Sequence, residues 1–277
     1  MDLAHGVRPR VMAIVNVTPD SFSDGGRHDD PAAAVSHAMT LLAQGADMLD
    51  IGGESTRPGA EPVSEAEELA RILPVIGALR PQTSALISVD TYKPSVARAA
   101  IAAGADVWND VSALQSPGAV HVAAGLGCQV VLMHMQGDPQ TMQQSPRYAD
   151  VVDEVADFLL ARAQAAMAAG VARDRIWIDP GIGFGKTPAH NLALLAHLDR
   201  FVALGFPVLL GASRKGLIQT LDPLAKAPAD RLGGSLAAAL AGARSGVAAV
   251  RVHDVRETVQ ALKVWSAIDG ARVSPAL

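Results

Sequence analysis

Residues 86–110 read LISVDTYKPSVARAAIAAGADVWND, which sets out a strand, a helix and a second strand. The apolar run Leu86–Val89 stops at Asp90, a helical segment covers Pro94–Ala103, and a glycine precedes the next run, Asp106–Trp108. A glycine directly after a helix accepts the left-handed conformation that ends the helix. The runs lack clean alternation of apolar and polar residues, which is typical of parallel strands buried on both faces. The stretch therefore predicts a strand–helix–strand unit.

This unit recurs along the whole chain. The predicted strands are Val11–Val15, Met48–Ile51, Leu86–Val89, Asp106–Trp108, Val130–Met133, Ile176–Ile178, Val208–Leu210 and Ala249–Val252. The predicted helices are Pro31–Gln44, Glu65–Leu79, Pro94–Ala103, Pro117–Ala124, Asp150–Ala169, Ala189–Leu204, Arg231–Ser245 and Val255–Ile268. Such a repeat predicts an α/β fold, a single (β/α)8 TIM barrel over residues 1–277 with flexible tails at 1–9 and 271–277. A doubly wound open sheet is the alternative.

Composition excludes several classes of protein. Apolar residues make up 49% of the chain, and the net charge of −5 provides no overall field for nucleic acid. No apolar run approaches the roughly 20 residues of a membrane-spanning helix. The single cysteine, Cys128, follows a glycine in an apolar stretch and is expected to be a buried structural thiol. We therefore expect a cytoplasmic protein that binds neither nucleic acid nor membranes.

The loops after the predicted strands are long and polar, whereas the loops before them are short. The longest are Thr18–Asp30, Glu54–Val63 and Gln136–Arg147. The strand runs stop at Asn16, Gly52-Gly53-Glu54, Asp90, Asn109, His134, Asp179, Ser213-Arg214-Lys215 and His253. A TIM barrel places its functional site at the carboxyl ends of its strands, so these polar residues are the candidates for that site.

Three candidates suit a flat, donor-edged ring. Asp90, Asn109 and Asp179 each end an apolar strand run, where a carboxylate is partly desolvated and needs a partner. Two carboxylates and an amide can bind a heterocycle that has a guanidine-like N–H edge and nearby ring acceptors. The alternative interpretation is that these residues cap strand ends or form internal salt bridges.

A second group suits an anion. Asn16 follows the first strand, and Arg251 and His253 belong to the eighth, which is its neighbour in a closed barrel. Arg251 and His253 are two residues apart and share a strand face, and a basic pair beside an amide makes an anion site. Arg57 could add a second guanidinium. His134 has less support and is predicted to be a packing histidine in the core.

Two glycine-containing segments follow the sixth and seventh strands. Lys215 lies in Gly211–Gly216, where many barrels bind phosphate, although Arg214 could be a solvated turn residue. Residues 181–187, GIGFGKT, fit the spacing of neither a P-loop nor a dinucleotide fingerprint. We interpret them as a flexible loop whose backbone approaches a ligand plane, with Phe184 available for packing. With no zinc-type spacing, any metal should be hard and oxygen-bound, such as Mg²⁺ shared with phosphates.

Several motifs together resemble the dihydropteroate synthase family of pterin-binding barrels. They are IVNVTPDSFSDGG at 14–26, DIGGESTRPG at 50–59, ISVDTYKP at 87–94, NDVS at 109–112, DPGIGFGK at 179–186, SRK at 213–215 and RVH at 251–253. The first two are long and specific, and the resemblance extends from about Arg10 to Ile268. It implies that 6-hydroxymethyl-7,8-dihydropterin pyrophosphate and 4-aminobenzoate condense to 7,8-dihydropteroate in folate biosynthesis, by dissociative displacement of pyrophosphate.

The resemblance also implies roles for individual residues. The pterin would contact Asp90, Asn109, Val111, Met133, Asp179, Phe184, Gly211 and Lys215. Pyrophosphate would contact Asn16, Arg57, Arg251 and His253, with Asn16 also binding the cofactor Mg²⁺. Aminobenzoate would contact Phe22, Thr56, Arg57, Pro58, Phe184, Lys215 and Gly216. The catalytic residues would be Asp90, Asp179, Lys215, Arg251 and His253. Inhibition by sulfonamides and a homodimer are implied as well.

One position departs from the family pattern. Many members carry serine directly after the lysine of the Ser-Arg-Lys motif, whereas this chain has Gly216. A non-catalytic paralogue that binds pterin or pyrophosphate therefore stays open as an alternative. A pterin-dependent methyltransferase barrel is the other, but it would not need Arg251, His253 and the long loop Thr18–Asp30 around pyrophosphate.

Overall fold

The structure, a computed structural model, describes residues 8–18, 31–55 and 59–273. The strands are β1 Arg10–Asn16, β2 Met48–Gly52, β3 Leu86–Asp90, β4 Val107–Asp110, β5 Gln129–Met133, β6 Ile176–Asp179, β7 Leu209–Leu210 and β8 Ala249–Val252. The helices are α1 Pro31–Ala43, α2 Glu65–Leu79, α3 Pro94–Ala102, α4 Ala119–Leu126, α5 Val151–Ala168, α6 Pro188–Ala196, α7 Leu198–Val202, α8 Gly216–Leu221, α9 Leu232–Ser245 and α10 Val255–Val273. The predictions for Phe22, Thr56, Arg57 and Pro58, and for nearly all of the loop Thr18–Asp30, lie outside the described residues.

The strands form one parallel sheet that closes on itself. Its order is β6-β5-β4-β3-β2-β1-β8-β7, so β1 pairs with both β2 and β8. The two ends of this order meet at a bridge between Ile178 and Val208, where the Ile178 N–H donates to the Pro207 carbonyl over 3.0 Å. An open sheet would leave β6 and β7 apart, so the doubly wound alternative is wrong and the TIM barrel is confirmed.

The barrel interior is layered. Its lower layer is an apolar cluster of side chains from seven strands: Met12, Met48, Val107, Val131, Trp177, Leu209 and Ala249. Side chains two residues further along a strand face the same side. The next interior layer therefore contains Asp50, Asn109, Met133, Asp179, Gly211 and Arg251. The polar site thus stands on an apolar floor, and the larger apolar core lies between the strands and the surrounding helices.

Six predicted helix-ending glycines all have positive φ angles, which confirms that interpretation. They are Gly45, Gly104, Gly127, Gly170, Gly205 and Gly246. Cys128 is buried, as predicted. Among the described residues, no helix has the length and apolar character needed to cross a bilayer.

Several predicted boundaries were wrong. The predicted helix Ala189–Leu204 is two helices, because His197 has non-helical backbone angles and the chain turns there to bury Leu198 and Phe201. The predicted helix Pro117–Ala124 begins two residues later, after Gly118, and ends at Leu126. Helix α8 was not predicted at all. Helix α10 runs to Val273, beyond its predicted end at Ile268 and into the predicted C-terminal tail.

Candidate active site

A hydrogen-bonded network occupies the centre of the barrel, just above the apolar floor. The Arg251 side chain on β8 donates from Nε to Asp50 Oδ2 over 2.6 Å and from Nη2 to Asp90 Oδ2 over 2.7 Å. The Asn109 amide donates to both Asp50 oxygens, at 3.2 and 3.4 Å. Burial opposes the charge of Arg251, but the two neighbouring carboxylates more than offset it and raise its pKa. Four strands are therefore joined through one guanidinium, two carboxylates and one amide.

Asp90 has unused hydrogen-bonding capacity. Its Oδ1 atom is buried and has no hydrogen-bond partner within the described residues, whereas its Oδ2 atom is bound to Arg251. Burial raises the pKa of Asp90 to about 7, in opposition to the charge of Arg251 and in concert with the nearby Asp50 carboxylate. An unpartnered buried carboxylate oxygen is costly, so the site is built to accept a hydrogen bond from a ligand.

Asp179 contributes a second carboxylate from the end of β6. Its Oδ1 atom accepts from the Gly181 N–H over 2.7 Å. A Cβ atom at Gly211 would lie 3.6 Å from the other oxygen, so glycine leaves room beside it. Burial raises the pKa of Asp179 to about 6, although the Gly181 N–H and the Lys215 charge act in the opposite direction.

The remaining predicted pterin residues lie on β5 and on the segments that follow β4, β6 and β7. Met133 is the partner of Asp179 in the sheet register, and Val111 is buried in the turn after β4. The Lys215 ammonium lies 4.2 Å from the centre of the Phe184 ring. An aromatic face beside an ammonium group can cover a flat ring while the cation contacts its acceptors.

The segment 181–187 is held firmly, and its interpretation as a flexible loop was wrong. The buried Lys186 ammonium donates to His134 Nδ1 over 2.9 Å, to the His134 carbonyl over 3.2 Å and to the Phe184 carbonyl over 2.9 Å. The Gly183 N–H donates to Asn191 Oδ1, and Tyr148 donates to the Gly185 carbonyl. These bonds fix the backbone that carries the Phe184 ring.

His134 is buried and packs edge-on against Phe158, with ring centres 4.8 Å apart, so the prediction of a packing histidine is confirmed. Burial and the nearby Lys186 charge lower the pKa of His134 to about 3. Burial also lowers the pKa of Lys186 to about 7, and the Asp179 carboxylate only partly compensates. His134 is therefore neutral and accepts the bond from Lys186.

Arg214 and Lys215 are adjacent in sequence but have different partners. Arg214 has a φ of 57° and donates from Nε to Asp254 Oδ2 over 3.0 Å, while its backbone N–H donates to Ser235. The alternative of a solvated turn residue was therefore wrong for Arg214. The strained turn directs Lys215 towards Phe184 and separates it from Arg214.

The predicted anion residues lie at the carboxyl ends of the paired strands β1 and β8. His253 Nδ1 lies 3.0 Å from Ser213 Oγ, and the His253 N–H donates to the same hydroxyl oxygen. A Cβ at Gly52 would lie 3.8 Å from Asn16 Oδ1 and 3.6 Å from the Asp90 Cβ atom, so Asn16 and Asp90 flank Gly52. Arg251 sits one interior layer lower, in the network with Asp50 and Asp90.

Glu54, which follows a strand run, is bound to protein groups. Its carboxylate accepts from the Lys93 ammonium over 2.7 Å, from the Tyr92 hydroxyl and from the Val63 N–H. Lys93 also pairs with the fully buried Glu68 over 2.7 Å. These bonds join the two ends of the loop 54–63, so Glu54 has a structural role.

Sequence reasoning missed Asp50. It lies inside an apolar strand run, and only residues at the ends of runs were considered. The signal was available, because Asp50 stands two residues after Met48 and therefore faces the barrel interior.

The fold and site define a TIM-barrel enzyme whose site lies at the carboxyl ends of the strands. Residues 12–253 match the family described as pterin binding enzyme. The chain is 47% identical over 272 residues to the dihydropteroate synthase of Escherichia coli K12, which covers 98% of this chain and 95% of that protein. The chain therefore belongs to the pterin-binding enzyme family.

Solved structures extend the similarity. The dihydropteroate synthase of Xanthomonas albilineans with 4-aminobenzoic acid is 54% identical, with a TM-score of 0.90 over 97% of this chain and 94% of that one. Its complex with 7,8-dihydropteroate matches at 50% identity and a TM-score of 0.87, over 99% and 97% of the chains. The Yersinia pestis enzyme with a sulfonamide drug complex matches at 46% identity and a TM-score of 0.90, over 99% and 97%.

Proposed function

We propose that this protein is a dihydropteroate synthase, which condenses 6-hydroxymethyl-7,8-dihydropterin pyrophosphate with 4-aminobenzoate. The observation that carries the proposal is the acceptor-rich pocket above the apolar floor. There Asp90 presents a buried oxygen without a partner, and Asp179 presents a second carboxylate beside Gly211. The N–H groups along one edge of a pterin are the matching donors.

Phe184 and Lys215 complete the pterin side of the proposed site. The Phe184 ring would cover the flat face of the pterin, and the Lys215 ammonium would contact ring acceptors. Their separation of 4.2 Å supports a joint role. Val111, Met133 and Gly211 would provide the remaining contacts, since they line or border the same interior layer.

The proposed pyrophosphate side contains Asn16, Arg251 and His253, with Arg57 from outside the described residues. Among the described residues there is no group of three His, Cys, Asp or Glu side chains that could hold a metal ion. Mg²⁺ commonly takes one or two protein oxygens and completes its shell with water and substrate phosphates, which fits the side-chain amide of the half-buried Asn16. When bound, Mg²⁺ would neutralise charge on the departing pyrophosphate.

The proposed reaction loses pyrophosphate before aminobenzoate attacks. The methylene carbon left behind is a cation that is delocalised into the pterin ring, and the Asp90 and Asp179 carboxylates would stabilise that positive charge. The weakly basic arylamine of aminobenzoate offers its lone pair to this carbon, and the acidic proton left on nitrogen when the C–N bond forms passes to water or to the released pyrophosphate, so no strong general base is required. The site therefore needs electrostatic stabilisation more than a nucleophile–base pair.

One assay tests the proposed function. Purified protein is incubated with the pterin pyrophosphate, with and without 4-aminobenzoate, and released pyrophosphate is measured. Release that requires both substrates is the expected result. Binding of the pterin pyrophosphate without any release would identify the non-catalytic paralogue. Methyl transfer from a methylated pterin, in the absence of pyrophosphate release, would identify the methyltransferase alternative.

We expect His253→Ala to slow turnover more than it weakens aminobenzoate binding. His253 follows β8 beside Ser213, where charge should build up on the leaving group. Loss of one hydrogen bond to a charged group, about 1.5–3 kcal/mol, corresponds to a fall in kcat of about 10- to 100-fold. Steady-state kinetics with both substrates measure the effect, and the exposed His121→Ala serves as the control. An unchanged kcat would remove His253 from the leaving-group site.

We expect Gly216→Ser to lower the KM for aminobenzoate by at most about tenfold and to leave kcat nearly unchanged. A Cβ at Gly216 would meet no atom within 4 Å, so the serine fits without displacement. The hydroxyl adds one hydrogen bond of about 0.5–1.5 kcal/mol, which acts as uniform binding. Gly216→Ala is the matched control, because it adds the Cβ without the hydroxyl. A wild-type protein that becomes active only with the serine would instead support the non-catalytic paralogue.

The aminobenzoate side of the proposal includes Phe22, Thr56, Arg57 and Pro58 beside the described Phe184, Lys215 and Gly216. Sulfonamides mimic aminobenzoate, and they should inhibit competitively with it.

We further propose a cytoplasmic homodimer, and the exposed apolar side chains of Leu221, Leu224, Val264 and Ile268 support an association surface. Sedimentation equilibrium would measure the assembly directly.

A further inference from the structure

Asp50 lies below the proposed ligand groups and binds two of them. It is fully buried and faces Arg251 at 2.6 Å and Asn109 at 3.2 and 3.4 Å. Arg251 has a second carboxylate partner in Asp90, whereas the Asn109 side-chain nitrogen donates to both oxygens of Asp50. Asp50 is therefore placed to control how Asn109 is presented.

An amide side chain has one donor end and one acceptor end, which point in different directions. A carboxylate paired with a guanidinium only accepts hydrogen bonds. If the Asn109 amide were reversed, its oxygen would face both Asp50 oxygens at 3.2–3.4 Å, and these contacts would repel. Asp50 thus fixes the donor end of Asn109 towards itself and the acceptor end away from itself.

The consequence concerns ligand choice. Asn109 is the register partner of Asp90 on the neighbouring strand, and the Asp90 Oδ1 atom is buried with no hydrogen-bond partner among the described residues. We propose that Asp50 is a specificity-determining positioning residue, which orients Asn109 so that the pocket presents only acceptors to the N–H edge of the pterin. This inference rests on the proposed function, since it names how the same pocket selects its substrate.

The competing explanation is that Asp50 only balances the charge of Arg251. The substitution Asp50→Asn affects both roles. Its amide oxygen can still accept from Arg251, but its NH₂ group would face the Asn109 NH₂ group. Reversal of the Asn109 amide relieves this contact and directs a donor towards the ligand.

The paired variant Asp50→Asn with Asn109→Asp separates the two explanations. The exchange keeps the total charge of the network and restores a donor opposite an acceptor between the two positions. Residue 109 would then again present only acceptors to the ligand, and Arg251 would still be bound by an amide oxygen. A role in direct charge pairing with Arg251 predicts no rescue, because residue 50 is neutral in both variants.

The experiment is calorimetric titration of each protein with two probes. The first is 6-hydroxymethylpterin, and the second is 6-hydroxymethyllumazine, which carries a carbonyl oxygen in place of the 2-amino group. The wild type should prefer the pterin. In Asp50→Asn, the affinity for the pterin should fall about tenfold or more, and the preference over the lumazine should shrink, because one acceptor has become a donor. The paired exchange should recover both the affinity and the preference to within about threefold.

Thermal unfolding of each variant accompanies the titrations. If Asp50→Asn does not fold, the paired exchange still decides the matter, since it must fold and prefer the pterin. Affinity of Asp50→Asn within twofold of the wild type would overturn the inference, as would a paired exchange no better than the single variant. A wild type that binds neither probe would contradict the proposed function itself, which is a different outcome.

Discussion

Replacement of Asp179 by asparagine is expected to abolish pterin binding while the barrel stays folded. The carboxylate is buried, uses one oxygen for the Gly181 N–H and offers the other beside Gly211. An amide would turn one acceptor into a donor that faces the N–H edge of the pterin. Loss of a hydrogen bond to a charged group and the new repulsion should reduce affinity by at least about 100-fold. Calorimetric titration with 6-hydroxymethylpterin measures the loss, with the exposed Asp199→Asn as the control.

The same substitution should stabilise the ligand-free protein at alkaline pH. Burial raises the pKa of Asp179 to about 6, above the ordinary value of 3.8, so ionisation costs stability in the folded state. Because the pKa of Asp179 is higher in the folded than in the unfolded state, the stability that its protonated form contributes is fully present below the unfolded pKa. That contribution is lost as the pH rises through the folded pKa. Asparagine removes this loss, so its advantage in Tm should be present at pH 8 and small at pH 4. An affinity within twofold of the wild type would rule out the binding role, and a lower Tm at pH 8 would contradict the electrostatic account.

Gly181→Ala is expected to have the largest effect on the fold of any single change near the site. The residue has a φ of +69°, and an added Cβ would lie 1.9 Å from the His134 carbonyl oxygen. That carbonyl also accepts a bond from Lys186, so neither backbone can yield without the loss of other bonds. We expect a loss of about 3 kcal/mol or more in the free energy of unfolding, measured by urea denaturation, together with loss of pterin binding.

Gly118→Ala is the matched control. Gly118 has a φ of +76°, but a Cβ there would meet no atom within 4 Å. Both variants carry the cost of a left-handed residue, about 1–2 kcal/mol, so their difference isolates the steric contact. Equal losses in the two variants would show that backbone conformation, and not close approach to His134, requires glycine at position 181.

The sequence was sufficient for the architecture because every strand–helix unit carries its own local signals. Apolar runs and helical segments alternate eight times, six of the helices end at a glycine, and no distant contact is needed to recognise this repeat. The convergence of Asp90 and Asn109 also followed, since the two strands that carry them are register partners in the closed sheet. Asp50 lies inside a run and not at its end, so the ends of runs do not reveal it, although the two-residue period does.

The remaining differences depend on tertiary partners that sequence position does not reveal. The Lys186 side chain binds His134, which lies 52 positions earlier in the chain. Lys93 forms ion pairs with both Glu54 and Glu68. Arg214 and Lys215 have different partners because Asp254 lies within hydrogen-bonding distance of Arg214. The partner of each side chain is determined by the folded geometry. The sequence pattern can therefore identify candidate residues, but it does not assign their hydrogen-bond partners.

The uneven closure of the barrel has a mechanical consequence. In the described part of the chain, β5 and β6 are joined by four register pairs, whereas β6 is joined to Val208, the residue before β7, by a single bridge from Ile178. Asp179 stands on one side of this seam, and Lys215 follows the strand on the other. A substrate bound by both residues would bridge the least extensively paired strands of the barrel. The same few atoms would then serve both catalysis and the rigidity of the barrel. The ligand-free enzyme would open at this seam more readily than the enzyme with bound substrate.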